Sequence, residues 1–286
     1  MIRKTRIKLK NIWQTINGLD NQSTFYLGNG VALTKLFTGQ HIYVDTNDIS
    51  VAPHLMIAGR WEPEITDVWI GLVEENSVIF DVGANFGYFG LVAGGQLSSN
   101  RPDLHFFEAN PKLIPFINRS CSINGLRELS KVNQVAISDK AGSLELSVFE
   151  DYIGSSRLGE TTNTSVGFEV SEKVGVKSIT LDSYVRDNKI KTVDLIKIDV
   201  EGFEEKVYKG MKNIIKKNPG LRILLEFTDH EYDDSKKFFE KMQSDFKHVY
   251  AIKGSNNLVT LNSYKQLKKL ANNDWIMLVL SNSTID

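Results

Sequence analysis

At 286 residues the chain is long enough for one large domain, or for a core domain with an N-terminal elaboration. Hydrophobic residues at 41% against charged residues at 24% leave ample material for a core, which excludes a disordered or fibrous chain. A formal net charge of -1 gives no global positive field to hold phosphates, so no nucleic-acid partner is expected.

The first ten residues carry Arg3, Lys4, Arg6, Lys8 and Lys10, but Asn11, Gln14, Asn17 and Asp20 interrupt any apolar run that could follow a signal-peptide start. No window approaches the roughly 20 apolar residues of a membrane span, so stable membrane insertion is not expected. The basic start reads as a solvated helical arm, with weak docking to an anionic membrane face as the alternative. Residues 1–75 read as a mixed N-terminal cap in which Trp61 and Trp69 help pack onto the core, and residues 76–286 as the main domain. The single cysteine, Cys121, excludes an intramolecular disulfide framework. It suits a reducing compartment, and the chain reads as cytoplasmic. Its oligomeric state is left open.

From Ser77 onward short apolar runs alternate with helical patterns, the signature of βαβ units and a parallel sheet with helices on both faces. Val78-Ile79-Phe80-Asp81-Val82 is a buried strand and Phe86 to Leu97 the helix after it. Leu104 to Glu108 is the second strand. A helix from Leu113 to Asn124 follows, stopped at Asn124-Gly125. Val132 to Ile137 is the third strand and Leu144 to Phe149 an added hairpin strand. Residues 150–175, rich in Gly, Ser and Thr, read as a long loop, with Glu150 to Gly167 placed as a lid over the acceptor. Val193 to Val200 is the next strand. A helix from Glu204 to Lys217 puts Val207, Met211, Ile214 and Ile215 on one face. Leu221 to Phe227, His248 to Ile252 and Trp275 to Leu280 complete the strands, the last two as an antiparallel pair at the sheet edge.

Asp81-Val82-Gly83-Ala84-Asn85-Phe86-Gly87 joins the first strand to its helix, where glycines let a ligand approach backbone N–H groups. The dinucleotide fingerprint spaces its glycines as GxGxxG, whereas here they fall at 83, 87 and 90, a poor cradle for a pyrophosphate. Asp81 at the strand end would attract an ammonium or sulfonium instead. Glu108, at the tip of the second strand, is placed to accept hydrogen bonds from both hydroxyls of a ribose. Together the two acids describe an adenosyl cofactor with a positive amino-acid tail.

Leu195-Ile196-Lys197-Ile198-Asp199-Val200-Glu201-Gly202 alternates so that Lys197, Asp199 and Glu201 share one face of a strand that should be apolar on both. Such groups must be paired or reached by solvent at a cleft. A structural Lys197–Asp199 ion pair is one reading. A functional role for Asp199 and Glu201 at the ligand-binding edge of the sheet is the other. Glu226, followed by Thr228, Asp229 and His230, ends the next strand and would line the same cleft.

These segments, with Phe107-Glu108-Ala109-Asn110-Pro111 and Thr180-Leu181-Asp182, resemble in order the motifs of FkbM-type methyltransferases over about residues 36 to 228. Ala109 departs from the proline common at that place. The resemblance implies a class I, Rossmann-like S-adenosylmethionine-dependent methyltransferase fold with a seven-stranded sheet, and O-methylation of hydroxyl groups. It implies that Asp81, Gly83, Asn85 and Gly87 hold the methionyl part, Glu108 the ribose, and Ala136 and Ile137 the adenine. Asp199 and Glu201 would face methyl donor and acceptor. Gly59-Arg60-Trp61-Glu62 resembles the family segment ahead of the first motif, which would bring Glu62 to the cofactor's amino end.

An alcohol needs a positioned base to lose its proton, and Asp199, Glu201 and His230 are the candidates. A magnesium ion on Asp199, Glu226 and Asp229 would lower the hydroxyl pKa instead. No His/Cys cluster suggests zinc. The acceptor is expected to be a small molecule or a glycan, the latter by family analogy. A nicotinamide-dependent oxidoreductase and a non-catalytic adenosyl-binding module are the alternatives.

Overall fold

The computed structural model describes residues 23–96, 101–149, 151–159, 170–255, 257–272 and 274–285. The basic arm, the expected helix end at Leu97, and Glu150 with residues 160–167 of the expected lid lie outside the described residues.

Three strands, β1 (Thr24–Gly28), β2 (Val31–Lys35) and β3 (His41–Asp45), form a small antiparallel sheet. Alternation in β2 and β3 turns Ala32, Thr34, Ile42 and Val44 inward. Helices α1 (Ala52–Ala58) and α2 (Pro63–Leu72) follow. Trp69 of α2 is buried and its indole N–H donates to the Phe89 carbonyl at 2.9 Å, while Trp61 packs partly buried on the same core cluster.

The main sheet is built from β4 (Val78–Val82), β5 (Asp103–Glu108), β6 (Ser130–Gln134), β11 (Leu195–Ile198), β12 (Arg222–Thr228), β13 (His248–Ile252), β14 (Leu258–Thr260) and β15 (Trp275–Ser281). Its order is β14-β13-β15-β12-β11-β4-β5-β6. The pairs from β6 through β12 are parallel, and β15 runs antiparallel between β12 and β13. This is the class I methyltransferase arrangement, with eight strands rather than seven because β14 adds a short edge beside β13. Period-two geometry sorts each central strand between two cores. Ile79, Leu104, Leu195 and Leu224 face the cluster that holds the N-terminal elements with α3 (Tyr88–Gly95) and α4 (Ile114–Ile123). Phe80, Phe107, Ile196 and Ile223 face the other, with Val207, Met211 and Phe239.

Three expectations are corrected. The expected third strand divides: β6 stays in the main sheet, while β7 (Ala136–Ile137) leaves it to pair in parallel with β10 (Val170–Ile179). With β8 (Gly142–Phe149) and β9 (Arg157–Leu158) these form a second, four-stranded sheet. Residues 170–175 are therefore strand rather than loop, because Val174 and Val176 pair with Leu146 and Leu144 over a small core of their own.

The long helix is broken into α6 (Glu204–Lys209) and α7 (Lys212–Lys217) at Gly210. The helix α5 (Leu181–Asp187) explains the break. Asp182 donates its N–H to the Gly210 carbonyl at 3.0 Å, and its carboxylate accepts the N–H groups of Asn213 and Ile214, both at 3.0 Å. A Cβ on Gly210 would come within 2.1 Å of the Ser138 carbonyl oxygen, so the backbones are in direct contact there. The remaining helices, α8 (Ser235–Asp245) and α9 (Tyr264–Ala271), cover the β13 side.

Thr180-Leu181-Asp182 is thus a capping device: Thr180 Oγ1 caps its own helix by accepting from the Ser183 N–H, and Asp182 caps the next helix but one. Replacing Asp182 with alanine should cost about 1–2 kcal/mol of stability, the loss typical of an N-cap, measured by urea unfolding with an unchanged slope.

Candidate active site

A cavity of roughly 750 Å³ opens at the carboxyl ends of β5, β4, β11 and β12, where open α/β sheets bind ligands. Main-sheet residues form its floor. Ala136, Ile137 and Leu146 close one side, and Val51, His54, Trp61 and Glu62 close the other.

The loop after β4 is held by backbone contacts that only glycine allows. Gly83 has φ +74°, and a Cβ there would lie 1.8 Å from the Asp199 carbonyl oxygen. Gly83 and Ala84 both donate to the Phe107 carbonyl, at 3.0 and 3.1 Å. Asn85 is itself left-handed, with φ +53°, and its N–H donates to Glu108 Oε2 at 2.8 Å. The other Glu108 oxygen accepts from the Asn110 N–H at 2.8 Å. Glu108 lines the cavity but is not the exposed strand tip expected from its position; it is 8% exposed. Burial pushes its carboxyl up to about 7 against the lowering effect of these two N–H bonds.

Two expected cofactor contacts are displaced. Asp81 is buried beneath the loop and accepts from the Gly90 N–H at 3.0 Å, so it is not on the cavity wall. Gly87 caps α3 with its Cα facing Ile117 and Phe106 in the core. Gly83, Asn85, Ala136, Ile137, Glu62, Asp199 and Glu201 all line the cavity.

Lys197 sits at the centre. It is opposite Asp81 in the β11–β4 register, its side chain is 4% exposed, and it lies 5.0 Å over the Phe89 ring. Its ammonium is 3.0 Å from Asp199 Oδ2 and donates to the Gly83 carbonyl at 3.2 Å. Burial alone would lower its pKa, but Asp199 and Asp81 outweigh it and hold the lysine charged. The ion-pair reading of Lys197 and Asp199 is therefore correct as geometry, and Asp199 still lines the cavity.

Glu62 begins α2 with φ +41°, and its Oε2 is buried without a hydrogen-bond partner among the described residues. Burial, then Asp199, push its carboxyl up to about 8. Asn85 Oδ1 is a second such atom. Glu201, φ +55°, is pushed up to about 7 by burial and then Asp199, and Arg157 lies 3.7 Å away. Arg157 also binds Glu231 at 2.9 Å, which ties β9 to the turn after β12.

His230 does not join the cavity. Its side chain is 64% exposed and its nearest acid is Glu231, at 3.7 Å. The proposed magnesium trio is not assembled either: Asp229 is turned to the Tyr264 hydroxyl and Lys268. Among the described residues no group of three His, Cys, Asp or Glu side chains could hold a metal ion.

Arg157, His54 and Glu204 were missed by sequence reasoning. The first two come from segments without strong periodicity. Glu204 had a readable signal, a carboxylate two residues beyond Gly202, and it accepts from the Val200 and Gly202 N–H groups at 2.9 and 3.2 Å. Replacing Glu108 with glutamine opposes an amide NH₂ to one of two buried N–H donors. It should lower stability by about 1–3 kcal/mol in denaturant unfolding, and parental stability would show that Glu108 does not hold the loop.

The fold and site together define a class I methyltransferase-type α/β protein. Residues 81–256 match the methyltransferase FkbM domain, and the chain belongs to that family. It is 28% identical over 165 residues to "Methyltransferase sdnD" of Sordaria araneosa, covering 50% of this chain and 63% of that protein. It is 27% identical over 159 residues to "31-O-demethyl-FK506 methyltransferase FkbM" of Streptomyces tacrolimicus, covering 48% and 60%. The chain thus spans a little under two thirds of the length of these curated relatives. The crystal structure of methyltransferase FkbM from Methylobacillus flagellatus KT is similar over 72% of this chain and 44% of that one, at 10% identity and a TM-score of 0.46. No described helix is long and apolar enough to cross a membrane.

Proposed function

We propose that the chain transfers the methyl group of S-adenosylmethionine to a hydroxyl oxygen, on a sugar or glycan. The observation that carries this reading is the pairing, in one cavity, of a glycine loop ending on Glu108 with the partnerless buried oxygens of Glu62 and Asn85. Those oxygens suit an ammonium donor, and Glu108 keeps lone pairs for ribose hydroxyls beyond its two N–H bonds. Ala136 and Ile137 offer an apolar slot for a flat base. In this reading residues 76–286 are the methyltransferase domain, and residues 1–75 form a cap that supplies Glu62 and Trp61.

The sulfonium methyl is the electrophile the cofactor supplies. The chain's own task is then to fix an acceptor oxygen in line and to exclude water. Lys197 fixes Asp199 against the Gly83 loop, so cofactor loop and acceptor floor are one rigid unit. Trp61 and Trp275 on the cavity wall suit the C–H faces of a sugar ring. A hydroxyl acceptor is also what the name of the Streptomyces tacrolimicus relative records for that protein.

The test is transfer of labelled methyl to a panel of glycans, small alcohols, phenols and proteins, with mapping of the modified atom. Label on oxygen is expected; label on nitrogen or carbon would refute the reading.

A second outcome follows from charge. S-adenosylmethionine carries one positive charge more than S-adenosylhomocysteine. Glu62 and Glu201, with carboxyls near 8 and 7, lose their protons as pH rises. Calorimetry should therefore show the preference for the methylated form growing between about pH 6 and pH 8.5. A preference that does not change with pH would place the sulfonium away from these acids.

A further inference from the structure

We propose that Glu226 is the general base that takes the acceptor's hydroxyl proton, an inference that rests on the O-methyltransferase reading. The cavity's acids follow the row of strand ends. Glu108 lies at β5, the glycine loop at β4, Asp199 past β11 and Glu226 near the end of β12. A cofactor held by Glu108 and the glycine loop occupies one half of that row and leaves the β11–β12 half to the acceptor. Glu226 is on that half, and the next strand begins with Trp275, 42% exposed on the cavity wall.

A base needs a lone pair free to receive the proton and a proton affinity near the working pH. Four of the other acids are committed. Both Glu108 oxygens accept backbone N–H groups, Asp199 is bound to Lys197, and Glu201 faces Arg157. Glu204 accepts from Val200, Gly202 and the Tyr232 hydroxyl. Glu62 also keeps a partnerless oxygen, but it comes from the N-terminal elements and is taken, in the proposed reading, by the cofactor's amino end. The Glu226 carboxylate has neither hydrogen bond nor ion pair among the described residues. Its backbone is nonetheless fixed by its pairing with Met277 across β15.

Burial, and then the facing acids Asp199, Glu204, Glu201 and Glu62, raise its proton affinity well above that of an ordinary carboxylate. As the acceptor oxygen bonds to the methyl carbon, the carbon–sulfur bond breaks with its electron pair left on sulfur. The hydroxyl proton passes to Glu226 and from there to solvent. Asp199, pinned by a charged lysine, orients the acceptor without taking its proton.

The test is Glu226→Gln, read in two ways. In the unliganded protein, folding raises Glu226's proton affinity, so ionising it costs stability as pH rises toward the folded pKa. The glutamine removes that cost, and its melting temperature should exceed the parent's by roughly 2–4 °C near pH 8 while converging with it near pH 5. With cofactor and acceptor, turnover should fall at least about a hundredfold, with S-adenosylhomocysteine affinity within about twofold of the parent. A variant with parental turnover, or a melting difference that does not change with pH, overturns the base. Cofactor affinity that falls in step with turnover assigns Glu226 to the cofactor instead. A parent that binds S-adenosylhomocysteine but methylates no hydroxyl overturns the underlying reading, and the melting comparison then reports on Glu226 alone.

Discussion

The buried ammonium of Lys197 is the interaction on which the rest of the site depends. A charged lysine in the middle of a parallel sheet is stable only if it is paired and hydrogen-bonded: Asp199 and Asp81 supply the negative charge, and the Gly83 carbonyl accepts a hydrogen bond. The dependence runs both ways. Asp81, buried to 1% exposure, is pushed up only to about 6 because Lys197 offsets part of the burial cost. Without the lysine, Asp81 and Asp199 would repel each other across adjacent strands. The β4 loop would also lose the contact that holds its carbonyl toward β11. One cation thus joins the loop after β4 to the segment after β11 on the cavity floor.

That cation does not neutralise the cavity. Glu62, Glu108, Asp199, Glu201 and Glu226 line it, against Lys197 and an Arg60 engaged with Asp67. The raised carboxyls of Glu62, Glu108, Glu201 and Glu226 are the consequence: burial and the repulsion of neighbouring acids are relieved by binding protons. A cavity of this kind favours a ligand that brings positive charge, because the ligand can replace protons the acids already hold. The same physics that raises the carboxyls would make binding of such a ligand pH-dependent.

Much of this was legible in the sequence. Apolar runs alternating with helical periods gave the parallel sheet, and the two acid-tipped strands gave its working edge. What periodicity could not show were the positions decided by tertiary contact. Residues 170–175 look like loop because Ser171, Glu172 and Lys173 are polar and Gly175 has no side chain, yet they pair along β8 where only Val174 and Val176 need to be apolar. The stripe from Val207 to Ile215 is a correct core face on a helix that Asp182 cuts in two from outside. His230 has the right chemistry and the wrong direction, since the turn after β12 points it to solvent. Asp81 has the right position along its strand but faces Lys197 from below the loop, a distinction that depends on the register between two strands far apart in sequence.

Among the described residues seven non-glycine residues have positive φ: Asn29, Asn76, Lys189 and Asn272 lie in turns off the cavity wall, while Glu62, Asn85 and Glu201, at +41°, +53° and +55°, line it. Such conformations cost on the order of 1–3 kcal/mol each and persist only where neighbours hold them. The holders are visible. Glu108 accepts the Asn85 N–H, and Glu204 accepts from the residues on either side of Glu201. The Glu62 carbonyl receives the Thr66 N–H that opens α2. In two of the three cases the clamp is a buried carboxylate whose own pKa is raised, to about 7 for Glu108 and about 6 for Glu204. A carboxylate that must stay ionised to accept two N–H groups, in a place that penalises its charge, is a costly way to hold a turn. Its presence twice around one cavity argues that the geometry held there, rather than the stability of the turns, is what the sequence maintains.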